Sequence, residues 1–321
     1  MTDQFGRSID YLRISITDRC NLHCFYCMPH DVPQLQHADI LRYEEIVRLV
    51  RIAASLGITK VRITGGEPLV RKGCVDLVRM LREIPEITTI ALTTNGVLLP
   101  DALPDLVQAG LDAVNISLDT LQPERFAAIT GRDTMPHWRE LLRDCVQAGL
   151  KTKTNTVLLA ENREEWENIA ALAQKFPISV RFIEQMPLGQ ETVCEDSDAE
   201  QVLRLLRRRW RDLQPVQTQD VRAPARYYSS KQLLGQVGVI APMTHRFCNT
   251  CNRVRLTSTG QFKPCLSYGM HTDLRGLLRS GASDDALREV MRQSIYHKPE
   301  THCFGTEKTD AERQTMNRIG G

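Results

Sequence analysis

Short apolar runs alternate with longer stretches of helical periodicity from residue 9 to about residue 190. The run 9–17 predicts a first strand, and the stretch 43–56 carries apolar residues on one helical face before Gly57, a residue suited to end a helix. Further runs predict strands at 60–64, 88–93, 113–118, 153–158 and 179–184. Helical patterns lie between them, at 75–82, 101–109, 123–129, 137–148 and 164–175. The pattern predicts six strand–helix units.

Strands that alternate with helices indicate an α/β fold with a parallel sheet, because parallel neighbours need a crossover connection. Six units are too few for a closed eight-fold barrel, so we expect a partial barrel or an open twisted sheet. In both architectures ligands gather at the carboxyl ends of the strands. The polar motifs lie there, because a cysteine-containing loop follows the first strand, GGEP the second and TNG the third.

The chain changes character after residue 190. An acidic segment leads into an arginine-rich helix at 202–213, and residues 214–247 favour short strands and loops with Pro and Gly. A last helix is predicted at 283–296, with Ser283 as its N-cap. We therefore divide the chain into an α/β unit, 1–190, and a C-terminal region, 191–321.

Composition limits the class of protein. Hydrophobic residues make up 42% of the chain and charged residues 25%, which is typical of a globular protein with a buried core. A net charge of +2 is too small to indicate nucleic-acid binding. No apolar run approaches the ~20 residues that cross a bilayer, and the first residues lack the layout of a secretory signal. We expect a cytoplasmic protein without membrane contact.

Ten cysteines carry more information than the charge does. In a reducing compartment, closely spaced cysteines usually hold metal rather than form disulfides. Six of the ten form two triplets, and the others stand alone as expected small buried hydrophobes. The isolated cysteines are Cys74, Cys145, Cys194 and Cys303.

The first triplet is Cys20, Cys24 and Cys27, spaced C-x3-C-x2-C. Three thiolates can hold three irons of a [4Fe–4S] cluster and leave the fourth iron open, where it can chelate the methionine part of S-adenosylmethionine (SAM). One electron from such a cluster then splits the C–S bond of SAM and generates an adenosyl radical. A zinc knuckle completed by His23 or His30 is the alternative.

Eight motifs together resemble one known family. In chain order they are LRISITDRCNLHCFYCMP, VRITGGEPLVR, ALTTNG, NISLDTL, KTNTVLL, RFIEQMP, FCNTCNRVRLTSTG and the terminal IGG. They closely resemble the GTP 3′,8-cyclases, the radical SAM enzymes (protein A) that begin molybdenum cofactor biosynthesis. The resemblance covers nearly the whole chain and is least distinctive at 190–240. It implies a partial (βα)6 TIM-like barrel of the radical SAM type, with a C-terminal extension that carries a second Fe–S cluster.

The second triplet is Cys248, Cys251 and Cys265. Its spacing alone leaves a zinc site open, with His245 or His271 as fourth ligand. The resemblance instead implies an auxiliary [4Fe–4S] cluster that binds the guanine end of GTP. Two guanidinium groups follow directly and are suited to grip phosphates bidentately. They belong to Arg253 and Arg255.

Further contacts carry over from matching motifs. The residues implied for GTP are Arg13, Arg62, Thr93 and Lys153, and those implied for SAM are Tyr26, Gly66, Ser117 and Met186. Arginines within strand patterns are costly to bury unless paired, so an anionic ligand or a carboxylate is expected beside them. Several alternatives remain, namely an ion pair for Arg62, an exposed charge for Lys153, core packing for Met186 and a strand cap for Ser117. Arg181 is a weaker candidate for the phosphates.

The resemblance also implies a reaction and partners. The adenosyl radical removes the 3′ hydrogen of GTP, and the ribose radical then adds to C8 of guanine. We expect an electron donor such as flavodoxin or ferredoxin, the next enzyme of the pathway as a partner, and a monomer or homodimer. The Gly-Gly tail could thread into the active site. The competing interpretations are a peptide-modifying radical SAM enzyme with an auxiliary cluster, or a zinc-stabilised binding protein.

Overall fold

The computed structural model describes residues 1–28, 35–188, 198–217, 222–305 and 310–320. Cys194, His30 and Gly321 lie outside these ranges, as does the predicted boundary at residue 190. In the described ranges, no helix combines the length and the apolar character that crossing a membrane requires.

The secondary structure follows the predicted alternation up to the sixth strand. The strands are β1 Tyr11–Ser15, β2 Lys60–Thr64, β3 Thr89–Thr94, β4 Ala113–Ser117, β5 Lys151–Val157, β6 Ser179–Ile183, β7 Gln214–Val216, β8 Arg226–Ser229, β9 Gln236–Ile240, β10 Arg253–Leu256, β11 Gln261–Lys263 and β12 Thr272–Asp273. The helices are α1 Tyr43–Ser55, α2 Cys74–Arg82, α3 Leu99–Gln108, α4 Pro123–Thr130, α5 Trp138–Gln147, α6 Trp166–Ala170, α7 Leu172–Lys175, α8 Ala199–Arg209, α9 Leu274–Arg279, α10 Asp284–Tyr296 and α11 Met316–Ile319.

Strands β1 to β6 lie side by side in chain order, and every neighbouring pair among them is parallel. Helices connect them, and their apolar faces share one hydrophobic core with the strands. This arrangement confirms the α/β class and the six strand–helix units, because each parallel pair is joined by a helical crossover. The carboxyl ends of all six strands therefore lie along one edge of the sheet.

The C-terminal strands extend the same sheet at both edges. Strand β10 pairs in parallel with β1, and β9 pairs in parallel with β6. Two more strands continue each edge, so that the described residues form a sheet of 12 strands. The C-terminal region therefore flanks the six-stranded unit on both sides, and the division at residue 190 stays a prediction.

Side chains of β1 alternate between the two faces of the sheet. Leu12 and Ile14 are buried in the core, whereas Tyr11 and Arg13 point to the opposite face. In-register partners on parallel strands share a face. Arg13 lies opposite Arg62 on β2 and opposite Arg255 on β10, so three arginines form one row across the sheet.

Two helix predictions had different outcomes. The N-cap is confirmed, because the Ser283 hydroxyl accepts a hydrogen bond from the Ala286 N–H at 3.2 Å. The continuous helix predicted at 164–175 is wrong. The buried Asn162 side chain accepts from the Leu159 N–H at 3.1 Å and from the Trp166 indole at 2.8 Å, and it thereby stabilises a 3-10 turn before α6.

Candidate active site

A cavity of about 330 Å³ lies against the face of the sheet that carries the arginine row. Its walls hold nine Arg and Lys side chains and, within the described ranges, no Asp or Glu. The cations are Arg13, Lys60, Arg62, Lys151, Lys153, Arg181, Arg222, Arg253 and Arg255. Like charges around one space repel unless an anion balances them. The cavity is therefore suited to a polyanionic ligand.

Several of these cations have hydrogen-bonding groups without a partner. In the described part of the chain, no acceptor contacts the buried Nε of Arg13, the Nε of Arg181 or the Nη2 of Arg253. Burial, followed by repulsion from Arg255, lowers the pKa of Arg13 well below its usual value. A buried donor without an acceptor costs about 1–3 kcal/mol. An anion that supplied acceptors here would remove that cost.

Arg62 contacts a phenol instead of the carboxylate that its alternative interpretation required. Its Nε donates to the Tyr11 hydroxyl, and its Nη1 donates to the Thr93 hydroxyl at 3.4 Å. Burial raises the pKa of Tyr11, but Arg62 and Arg13 lower it more, and the net pKa is about 8. Thr93 thus lies next to Arg62, and its contact with GTP stays a prediction.

Lys153 on β5 is half-buried in the cavity wall rather than fully exposed. Its Nζ lies 5.9 Å from the centre of the Tyr227 ring. Burial lowers the pKa of Lys153, and repulsion from Arg181 and Arg62 acts in the same direction. The amine would therefore gain from a neighbouring negative charge.

The first cysteine triplet lies on the loop after β1, and the GGEP turn packs directly against that loop. The Gly66 N–H donates to the Thr17 carbonyl at 2.8 Å. A Cβ on Gly66 would lie 2.4 Å from the Arg19 carbonyl oxygen, so no side chain fits here. The close approach at Gly66 is thus to protein backbone that leads into Cys20, and its contact with SAM stays a prediction.

Glu67 is fully buried, and protein donors contact both of its oxygens. Oε1 accepts from the Leu69 N–H and the Thr94 hydroxyl, and Oε2 accepts from the Asn95 N–H at 2.7 Å. Burial raises the pKa of Glu67 to about 7, although these hydrogen bonds lower it. The carboxyl ties the loop after β2 to the loop after β3.

The predicted SAM contacts are distributed around the same end of the sheet. The Tyr26 hydroxyl donates to Asp119, whose other oxygen accepts from the Val157 N–H at 2.8 Å. Burial raises the pKa of Asp119 to about 6. Ser117 is the last residue of β4, and Met186 lines the cavity while it packs against a small apolar cluster. Core packing therefore accounts for part of the Met186 environment.

Donors surround the sulfurs of the first triplet. The Leu22 N–H donates to Cys20 Sγ at 3.4 Å, and the Asn95 amide lies 3.8 Å from the same sulfur. The backbone N–H of Asn317 donates to Cys27. All three cysteines are partly exposed. Thiolates with hydrogen-bond donors, on a loop with one open side, fit a cluster that keeps one iron free.

The second triplet has a cationic environment. The His302 N–H donates to Cys248 Sγ at 3.3 Å. Burial raises the pKa of Cys251, but Lys298 and Arg253 lower it more, to about 7. This thiol deprotonates easily, as a metal ligand must.

The histidines proposed to complete a zinc site have other partners. His245 Nε2 lies 3.4 Å from Glu200, and His271 Nδ1 lies 2.9 Å from the Gly269 carbonyl. In the part of the chain that the structure describes, no group of three His, Cys, Asp or Glu side chains is close enough together to hold a single metal ion. In a cubane each thiolate binds a different iron.

The two triplets lie at opposite edges of the sheet. The first follows the carboxyl end of β1, whereas Cys248 and Cys251 precede the amino end of β10. Because β1 and β10 are parallel neighbours, these two ends are at opposite edges of the sheet. The arginine row lies between them.

Known proteins match this chain over its full length. Residues 14–173 match the model of the radical SAM superfamily, and residues 178–304 match that of Molybdenum Cofactor Synthesis C. The GTP 3′,8-cyclase of Clostridium perfringens strain SM101 is 43% identical, and that of Heliobacterium modesticaldum is 44% identical. Both alignments cover 100% of each chain. The chain belongs to the GTP 3′,8-cyclase family.

A solved structure shares the fold of this family member. Streptococcus suis SuiB bound to S-adenosylmethionine superposes with a TM-score of 0.63 at 15% identity, over 88% of this chain and 68% of that chain. At this identity the likeness shows the radical SAM fold alone. The individual SAM and GTP contacts therefore stay predictions, although most of the residues implied for GTP do line one cavity.

The C-terminal tail of this family member reaches the cavity. Arg255 donates to the Gly320 carbonyl at 2.6 Å. A Cβ on Gly320 would lie 2.7 Å from both Ser15 and Thr64, at the ends of β1 and β2. The Asn317 side chain donates to the Asp18 carbonyl at 3.2 Å, on the first cysteine loop. As far as Gly320, the tail therefore follows the predicted path into the site.

Sequence reasoning missed several polar residues of the site. Asn115 and Asn155 line the cavity from β4 and β5, and their side-chain oxygens have no partner among the described residues. Alternation along each strand places them on the same face as Arg13 and would have found them. Tyr227 lies on β8, in a segment without a distinctive motif, and no sequence signal indicated it.

Proposed function

We propose that this protein converts GTP into (8S)-3′,8-cyclo-7,8-dihydroguanosine 5′-triphosphate, as a radical SAM lyase at the start of molybdenum cofactor biosynthesis. The observation that carries the proposal is the cation-lined cavity between two cysteine triplets. A triphosphate supplies the negative charge that balances the cations of this wall. The two predicted iron sites lie on either side of the arginine row.

We propose that the six clustered cysteines hold two [4Fe–4S] clusters, with SAM as the cosubstrate. Cys20, Cys24 and Cys27 would hold the first cluster, which would supply the electron for the cleavage of SAM and so the radical chemistry at C3′ of GTP. The protein's own task is to hold GTP in one position, so that C3′ lies near the radical.

The arginine row is suited to hold the triphosphate. Arg13, Arg62 and Arg255 come from three adjacent strands and cannot move apart without breaking the sheet. Arg253 lies closer to the second triplet, and we propose that it orients the substrate with guanine toward that end. Rigid, preorganised guanidinium groups bind phosphate without a large entropic cost.

The partners follow from this chemistry. We propose that flavodoxin or ferredoxin supplies the electron and that the next enzyme of the pathway takes the product. We also propose a cytoplasmic monomer or homodimer.

The direct test of substrate placement is the Arg253→Ala variant, with GTP affinity measured by anaerobic equilibrium dialysis on reconstituted protein. Loss of a charge-assisted hydrogen bond costs about 1.5–3 kcal/mol, so we expect the Kd for GTP to rise about tenfold or more. SAM cleavage without GTP should persist, because Arg253 lies away from the first triplet.

Arg208→Ala is the matched control, because Arg208 is an exposed arginine of α8 that does not line the cavity. It should bind GTP as the wild type does. Equal GTP affinity in the Arg253 variant would contradict the substrate assignment.

A further inference from the structure

A serine hydroxyl lies within hydrogen-bond distance of the second cysteine triplet. Ser267 is 2% exposed, and its Oγ lies 3.4 Å from the Sγ of Cys265. The backbone N–H of Cys303 donates to the same Oγ at 3.1 Å. This N–H occupies one lone pair of the hydroxyl oxygen and leaves its proton free to be donated to another acceptor.

Cys265 provides that acceptor once it binds iron. An iron-bound cysteine is a thiolate, which accepts hydrogen bonds and has no proton to donate. The backbone of Ser267 is held in place as well, since its carbonyl accepts from the Cys303 thiol at 3.0 Å and from the Glu312 N–H at 2.8 Å. The hydroxyl oxygen is therefore held within hydrogen-bond distance of the sulfur, and it is the donor once Cys265 is a thiolate.

We propose that Ser267 is a positioning residue that donates an O–H···S hydrogen bond to the Cys265 ligand and raises the reduction potential of the second cluster. Reduction adds negative charge to a cluster, and a donor at a ligand sulfur stabilises that charge. The proposal rests on the proposed function, in which Cys265 binds a cluster iron. In this proposal Ser267 sets how easily the cluster at the guanine end of the cavity is reduced.

The donors at the other two sulfurs are of a different kind. Cys248 accepts from the backbone N–H of His302, and Cys251 accepts from the backbone N–H of Arg253. A side-chain substitution removes neither of them. Among the contacts to this triplet in the described residues, the hydroxyl of Ser267 is the side-chain donor that a single substitution can delete.

The test is a redox titration of the reconstituted Ser267→Ala protein, followed by electron paramagnetic resonance. The second cluster is identified in the wild type as the one whose signal changes when GTP is added. We expect its equilibrium constant for one-electron reduction to fall about tenfold, which is a shift of about 59 mV to more negative potential. The first cluster should keep its potential and serves as the internal reference.

Ser258→Ala is the matched control. Ser258 is equally buried, with 1% exposed, and its hydroxyl has no partner among the described residues. This variant should leave both potentials unchanged. A Ser267→Ala protein with full iron content and a wild-type potential at the second cluster would overturn the proposal.

If the alanine variant fails to hold the second cluster, the Ser267→Thr variant decides, because it keeps the hydroxyl. A Ser267→Thr protein with wild-type iron content and a wild-type potential at the second cluster supports the hydrogen bond from the hydroxyl. A Ser267→Thr protein that holds no more iron than Ser267→Ala overturns the proposal. The proposed function fails separately, if the wild type itself holds no GTP-sensitive cluster.

Discussion

At the scale of single residues, ionisable groups with little exposure account for much of the site. Arg181 is buried and Arg13 is partly buried, and in the described structure no acceptor contacts the Nε of either residue, so a bound anion would balance their charge. Glu67 shows the opposite case, since its burial favours the neutral form even though three donors contact it. Both features lower the stability of the free protein. They are expected where a binding site is preorganised.

The raised pKa of Glu67 predicts a pH dependence of stability. The carboxyl has a pKa of about 7 in the folded chain, against 4.5 for an ordinary glutamate. Its favourable contribution is complete below pH 4.5 and is lost as the pH rises through 7. This loss corresponds to roughly 3 kcal/mol of unfolding free energy.

We therefore expect the Tm of the wild type, relative to that of Glu67→Gln, to decrease as the pH is raised from about 5 to about 8, an interval that includes the folded-state pKa. Anaerobic differential scanning calorimetry measures this difference. The reference variant cannot ionise, so the difference isolates this carboxyl. A Tm difference that stays constant over this range would refute the assignment.

At the scale of elements, the tail connects the two halves of the site. Helix α11 follows Thr315. Its Asn317 contacts the first cysteine loop, and the carbonyl of Gly320 accepts from Arg255 of the cavity wall. Gly320 has a φ of 91°, which an L-residue rarely adopts, and it lies against Ser15 and Thr64. A substitution there should displace the tail from Arg255.

We expect Gly320→Ala to release the tail and to lower cyclisation at least tenfold, with both clusters retained. Release of the last residues by carboxypeptidase should be faster than in the wild type. Gly281→Ala is the control, because Gly281 has a similar φ of 86° with nothing within 4 Å of its added Cβ. Wild-type cyclisation and digestion in the Gly320 variant would show that the tail contact is dispensable.

The elements also show what the sequence could predict. Periodicity and turn residues located β1 to β6, because each strand is a short segment bounded by turn residues and is followed by a helical pattern. Both cysteine triplets could also be found from the sequence, because the members of each triplet lie close together along the chain. The pairing of β10 with β1 was not predictable, since it joins segments far apart in the chain. That pairing depends on packing in the whole molecule.

At the scale of the whole molecule, one sheet brings the reacting parts together. The first triplet lies at the carboxyl edge of β1, and the second lies at the amino edge of its parallel neighbour β10. The arginine row lies between these two edges of the sheet. We propose that a substrate held there has its guanine at the second triplet and its ribose within reach of the radical formed at the first, which is the central claim of the account.

The most direct test of that claim uses GTP deuterated at C3′, with SAM, dithionite and anaerobically reconstituted protein. We predict that the 5′-deoxyadenosine formed is one mass unit heavier, because the radical takes the deuterium from the bound ribose, and that a cyclised nucleotide appears with it. Unlabelled 5′-deoxyadenosine without a cyclised nucleotide would contradict the account.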